Sequence, residues 1–227
     1  MCSVIGAIIK EPRAEDFLML HRVFLESKIR GMHATGIAYV KNNEIIIDKR
    51  PVPANEFPFN FPSYVNEDGS LYLIGHCRYS TSDLEFNQPI GNQDQAVVHN
   101  GVITQELPEN WKELYRYTCE TKNDSELVLH SDSPLEEFPD MSMGVCELTS
   151  DKKLLVYRNG KRPLYLTSIS NGCIITSTAD ISKRAEIPGF PINILMNYYF
   201  TFDERLAMTL EKVNIEDAVD FQHYELC

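Results

Sequence analysis

No two cysteines in this chain are spaced as CxxC, and Cys2, Cys77, Cys119, Cys146, Cys173 and Cys227 are too scattered to gather four thiolates round a metal. A disulfide framework is therefore not expected, and the thiols read as reduced. Positive charge is scarce: 21 Lys and Arg stand against 33 Asp and Glu, a formal net charge of −12. With no local basic cluster, such a surface repels nucleic-acid backbones and anionic lipid. No apolar run approaches the ~20 residues that span a bilayer, and no basic region precedes the short run Val4–Ile9. The sequence thus predicts a soluble, cytoplasmic protein. It has no P-loop, no GxGxxG after a strand and no serine nucleophile elbow, and His21, His76, His99, His130 and His223 form no HExxH or other spaced ligand set. Neither cofactor nor metal is implied. Repeats, heptads and Gly/Ser linkers are also missing, so residues 1–227 read as one domain.

The chain does have enough to build a core: 227 residues, 43% of them hydrophobic. The apolar run from Val4 to Ile9 reads as a buried strand, and Phe17, Leu20, Phe24 and Leu25 recur at helical spacing behind it. That helix is predicted to stop near Arg30, with Gly31 as a left-handed terminal glycine. Gly36–Val40 and Ile45–Ile47 read as a hairpin turned by Lys41-Asn42-Asn43-Glu44, and Pro51, Pro53, Pro58 and Pro62 then mark a surface loop. Leu71–Gly75, Ala96–Val98, Gly144–Leu148, Leu154–Tyr157, Leu164–Leu166 and Cys173–Thr176 are further short strands; Trp111–Tyr117, Ser125–His130 and Ile192–Tyr199 read as helices. Strands clustered without strict βαβ alternation give an α+β class, with two mainly antiparallel sheets between helical layers.

Cys2 is the residue with the most chemistry at one position. A small second residue lets an aminopeptidase remove Met1, leaving a cysteine with a free α-amine. That amine (pKa roughly 7.7–8.0) can take the proton of the thiol (roughly 8.5) directly or through one water, so nucleophile and base share one residue. Position two can equally be no more than permissive for processing.

Five motifs follow in order: Cys2-Ser3-Val4-Ile5-Gly6-Ala7, Arg30-Gly31-Met32-His33-Ala34-Thr35-Gly36-Ile37, Gly75-His76-Cys77-Arg78-Tyr79-Ser80-Thr81, Val97-Val98-His99-Asn100-Gly101-Val102-Ile103 and Asn123-Asp124-Ser125-Glu126. In order and spacing the chain resembles the class II glutamine amidotransferase domain, an N-terminal-nucleophile glutaminase, over roughly residues 2 to 180. His33 and Ala34 stand where that family often has an acidic residue and a serine, and Ser82 where several members have histidine. The resemblance implies a four-layer αββα sandwich of the N-terminal-nucleophile hydrolase type. It also implies that Cys2 attacks the glutamine γ-amide, while the Asn100 side chain and the Gly101 backbone N–H receive the oxyanion. In isolation Asn-Gly also reads as a turn.

Free glutamine is a zwitterion, so its site needs a cation for the α-carboxylate and an anion for the α-ammonium. Arg78 and Asp124 fit those roles, with Thr81 adding a hydroxyl or backbone donor; Asp124 has a competing reading as a helix N-cap. No Ser-Gly-Gly-x-Asp-Ser or sugar-phosphate-binding half accompanies these motifs. The expectation is a stand-alone glutaminase that yields glutamate and ammonia through a Cys2 thioester, the ammonia going to a separate acceptor enzyme. An amidohydrolase for another γ-glutamyl compound and a silent partner-binding domain are the alternatives. The loop Arg50–Pro62 and the tail residues Leu206, Met208, Leu210 and Val213 are candidate docking surface.

Overall fold

A computed structural model describes residues 2–80, 86–216 and 218–221. Its strands are β1 (Ser3–Lys10), β2 (Ala34–Lys41), β3 (Glu44–Arg50), β4 (Ser70–Arg78), β5 (Ile90–Gly91), β6 (Gln95–Val102), β7 (Ser142–Thr149), β8 (Leu154–Arg158), β9 (Tyr165–Ile169), β10 (Gly172–Thr176), β11 (Ile192–Asn193), β12 (Tyr198–Phe202) and β13 (Met208–Lys212). The helices are α1 (Ala14–Ser27), α2 (Phe61–Tyr64), α3 (Trp111–Leu114), α4 (Ser125–His130), α5 (Pro134–Glu137) and α6 (Ala179–Arg184). One sheet runs β11-β9-β10-β1-β4-β2-β3 and the other β13-β12-β8-β7-β6-β5, and the strand pairs are antiparallel.

Three apolar layers hold these elements together. Between the sheets lie Val4 and Ile8 of β1, Tyr72 and Ile74 of β4, Ala96 and Val98 of β6, and Cys146 and Leu148 of β7. The alternate residues Ile5, Ala7 and Ile9 face outward onto Leu20, Val23 and Phe24 of α1 and Ile181 of α6. On the far face Val97, Met143 and Val145 meet Trp111, Leu127, Val128 and Leu135 from α3, α4 and α5. The result is a four-layer αββα sandwich. Period-two alternation explains why β1 is apolar throughout: both its faces are covered, and each fully buried isoleucine contributes about 1.5–3 kcal/mol.

Several local expectations need correction. Ile192–Tyr199 is not a helix; it is the short edge strand β11, a connection, and the start of β12. Its β-branched and aromatic residues suit a pleated surface, and Ile192 and Leu195 are exposed where a packed helix would bury them. The predicted helix from Trp111 to Tyr117 stops at Leu114, before Arg116 turns left-handed with φ 64°. Gly31 does not adopt a positive φ; it is glycine because a Cβ there would lie 2.3 Å from the Cys77 carbonyl oxygen. The hairpin over 41–44 forms as expected, with Asn42 and Asn43 both left-handed at φ 53° and 60°.

The proline-rich segment does less at the surface than its composition suggests. Ala54, Phe57 and Phe61 are buried against α1 and the first sheet. In the tail, Val213 is buried and Leu206 packs on the inter-sheet layer, while Met208 and Leu210 lie exposed on edge strand β13. Farther on, Asp220 reaches the fully buried Arg158 of β8 with two bonds, Nη1–Oδ1 at 3.1 Å and Nη2–Oδ2 at 2.7 Å, and Phe221 N–H donates to the Gly160 carbonyl. The five cysteines among the described residues are unpaired, and no described helix is long and apolar enough to cross a membrane.

Candidate active site

The site forms where the inter-sheet layer changes from apolar to polar. Continuing the alternation that buries Tyr72 and Ile74 of β4 brings His76 and Arg78 to the same face, and continuing Ala96 and Val98 of β6 brings Asn100 there. The register Ser3↔Cys77 and Val4↔His76 places Cys2 beside the Arg78 end of β4. A cleft of about 320 Å³ opens at this end, lined by Cys2, His76, Arg78, Tyr79, Gly101 and Asp124 among others. Its size falls at the lower end of the ~300–1,000 Å³ range of small-molecule sites.

Cys2 is half-buried, with Sγ 3.9 Å from the Tyr79 carbonyl oxygen, and its own carbonyl accepts a 3.0 Å bond from Arg30 Nε. Burial pushes the other described thiols up, Cys77 and Cys173 to about 12, Cys119 to about 11 and Cys146 well above its ordinary value. None of those four is a ready nucleophile near neutral pH.

Asn100 is 3% exposed, and its Nδ2 has no hydrogen-bond partner. A buried amide donor left unmade costs about 1–3 kcal/mol, and such a group calls for a reason. Gly101, the next residue, lines the cleft at φ 151°; a Cβ there would lie 1.8 Å from the Ser142 carbonyl oxygen, so no other residue fits. The turn reading of Asn-Gly is set aside, since both residues lie within β6.

Behind them His99 is buried, its Nδ1 3.2 Å from Ser125 Oγ and its Nε2 3.1 Å from the Ser142 carbonyl. Burial holds its pKa below the ordinary value, outweighing the Asp124 carboxylate. His76 is pushed down to about 3, first by burial and then by the nearby Arg78 guanidinium, so it stays neutral. Its Nε2 is also buried without a partner.

The two charged groups are held by different means. Arg78 Nη1 donates to the Phe86 carbonyl at 2.6 Å and to Asn87 Oδ1 at 3.0 Å. Asn123 Nδ2 donates to the same Phe86 carbonyl at 2.8 Å, and Lys49 Nζ holds the carbonyls of Asn87 and Pro89 at 2.9 and 3.1 Å. Asp124 is the residue before α4 but makes no side-chain capping bond; its Oδ2 accepts the Ile103 N–H at 2.7 Å instead. Asp124 thus occupies the N-cap position of α4, but its side chain does not cap the helix.

Of the sequence-derived residues, Cys2, Arg78, Gly101 and Asp124 share the cleft, and Asn100 sits within its β6 wall. Thr81 lies outside the described residues, as does Met1. Sequence reasoning missed Lys49, Asn87, Asn123 and His33 as supports, although Asn123 and His33 both stand inside quoted motifs. Cys119, Glu126 and His130 place possible metal-ligand atoms within 4.8 Å of one another. The Glu126 carboxylate, however, already accepts the N–H groups of Glu120 and Thr121 at 2.7 Å each and the Thr121 hydroxyl at 2.5 Å, so it ties that turn to α4.

No family model matches the chain, and no curated protein matches its sequence. Among solved structures it is similar to glutamine phosphoribosylpyrophosphate (PRPP) amidotransferase from B. subtilis complexed with ADP and GMP, at TM-score 0.68 and 18% identity over 93% of this chain. A structure of the allosteric regulatory enzyme of purine biosynthesis matches with the same TM-score, identity and coverage. The chain spans about half the length of these two, 49% of each. The αββα sandwich, its two antiparallel sheets and the likeness to these amidotransferase structures together give this chain the N-terminal-nucleophile hydrolase-like fold of the class II glutamine amidotransferases.

Proposed function

We propose that this chain is a glutaminase of the class II amidotransferase type, hydrolysing L-glutamine to glutamate and ammonia. The observation that carries the reading is the convergence, at one end of the inter-sheet layer, of a half-buried thiol, a cation, a carboxylate and an unpartnered buried amide donor. In this reading Arg78 takes the substrate α-carboxylate and Asp124 the α-ammonium, which leaves the γ-amide to reach toward Cys2. With Met1 removed, the Cys2 α-amine accepts the thiol proton and Sγ attacks the amide carbon. Asn100 Nδ2 and the Gly101 N–H receive the oxyanion, ammonia departs with a proton from the α-ammonium, and water resolves the thioester. The neutral, buried His76 and His99 are not needed as proton carriers.

In this proposal the ammonia produced here passes to an acceptor enzyme. The test is direct. A chain beginning at Cys2 should release ammonia from glutamine, while Cys2→Ser or a retained Met1 should abolish turnover, since each removes one half of the thiol–amine pair. A glutamine-mimicking diazoketone should label Cys2 and spare the other cysteines. Full activity in a sample shown by mass spectrometry to keep Met1 would falsify the mechanism.

A further inference from the structure

We propose that His33 is a positioning residue for the cleft wall between Arg78 and Ser80, acting as a hydrogen-bond acceptor; the inference rests on the glutaminase reading above. His33 lies between α1 and β2, one residue before Ala34, which pairs with Arg78. It holds three consecutive residues of the opposite segment. Its backbone N–H donates to the Arg78 carbonyl at 2.9 Å, its ring packs on Tyr79 with centroids 4.9 Å apart, and its Nδ1 accepts the Ser80 N–H at 2.9 Å. A nitrogen that accepts from an amide carries no proton, so the ring hydrogen is on Nε2.

The position matters because β4 ends at Arg78, and the ladder with β2 ends at the Ala34–Arg78 pair. Tyr79 and Ser80, just beyond, both line the cleft, and the Tyr79 carbonyl is the oxygen 3.9 Å from Cys2 Sγ. His33 thus extends the hold of β2 two residues past the sheet, to the segment that carries the substrate cation at one end and borders the nucleophile. Its acceptor sets where Arg78 meets the substrate carboxylate; it does not touch the reacting atoms itself.

Two substitutions separate accepting from packing. His33→Phe keeps a ring on Tyr79 and loses the acceptor, whereas His33→Asn keeps an acceptor and loses the ring. In the phenylalanine variant the Ser80 amide should exchange with solvent at least about tenfold faster, and the glutamine KM should rise about five- to tenfold with kcat within about twofold, the worth of one lost hydrogen bond. The asparagine variant should stay within about twofold of the parent in all three. The reverse pattern, or equal Ser80 exchange in both variants, overturns the proposal, and so does faster exchange with an unchanged KM. A parent chain that turns over no glutamine counts against the glutaminase reading, and is told apart because Ser80 exchange still ranks the two variants.

Discussion

Asn100 carries an unmade hydrogen bond in the resting protein, and this gives it a signature that no merely structural residue shares. Replacing it with alanine removes a buried donor that has cost stability, so the thermal midpoint should hold or rise. Turnover should fall on the order of 10²–10³ in kcat, with KM little changed, because the oxyanion exists only in the transition state. A variant that loses stability and activity together would show that Asn100 supports the fold instead. The clamp residues should behave oppositely. Arg78→Ala and Asp124→Asn each remove a charge-assisted contact of roughly 1.5–3 kcal/mol, which is about ten- to a hundredfold in KM. Asparagine is the apt replacement at 124, since it can still accept the Ile103 N–H that Asp124 Oδ2 takes.

Strand β4 and its continuation show how an element can prepare a charge for use. The segment 86–89 is tied to β3 by Lys49, whose pKa burial lowers, and the same segment presents Asn87 Oδ1 to the Arg78 guanidinium. Lys49→Met should therefore raise the glutamine KM several-fold through Arg78, with smaller effect on kcat; steady-state kinetics of the variant checks it. How much of this was legible beforehand follows from the kind of signal each feature leaves. β1, the 41–44 hairpin and α4 announce themselves through apolar runs and Asn-Asn turn chemistry, and the positions of Cys2, Arg78, Asn100, Gly101 and Asp124 stand in short motifs. The segment 192–199 misled because its apolar residues fit helical spacing while the exposure of Ile192 and Leu195 depends on which sheet edge they join. Lys49 and His33 were invisible as supports, because their partners, Asn87 and Ser80, are brought near only by the pairing of β2 with β3 and β4.

For the molecule as a whole, two buried groups oppose each other in pH. His76, about 3 when folded and 6.5 when free, lacks a proton that the unfolded chain binds between those values, so it makes stability rise with pH there. Glu147 runs the other way. Burial raises its carboxyl from 4.5 to about 7, against a 2.5 Å bond from the Tyr157 hydroxyl, so between those values the folded chain holds a proton that the unfolded one has lost. Between pH 4.5 and 6.5 these two slopes offset each other, while the buried His99, its pKa also held below 6.5, adds to the rising side. Glu147→Gln should uncover the histidine limb: the unfolding free energy of the variant, read from urea titrations, should climb through that interval more steeply than the parent's, by up to ~1.4 kcal/mol per pH unit. Assembly is the other molecular-scale expectation. The isolated chain should turn over glutamine below the ~10 s⁻¹ typical of enzymes, and faster with an ammonia-consuming partner; equal rates alone and in complex would remove the case for coupling.

The hold that Asp220 keeps on Arg158 also fixes how far the chain can be shortened. A gene ending after residue 219 would leave a guanidinium sealed between β8 and its neighbours with its carboxylate gone, at a cost of about 3–5 kcal/mol, a large part of the ~5–15 kcal/mol that keeps a domain folded. A truncation after residue 221 keeps both the ion pair and the Phe221 bond to Gly160. Expression of the two lengths side by side should give soluble protein from the longer and inclusion bodies from the shorter, although they differ by only two residues.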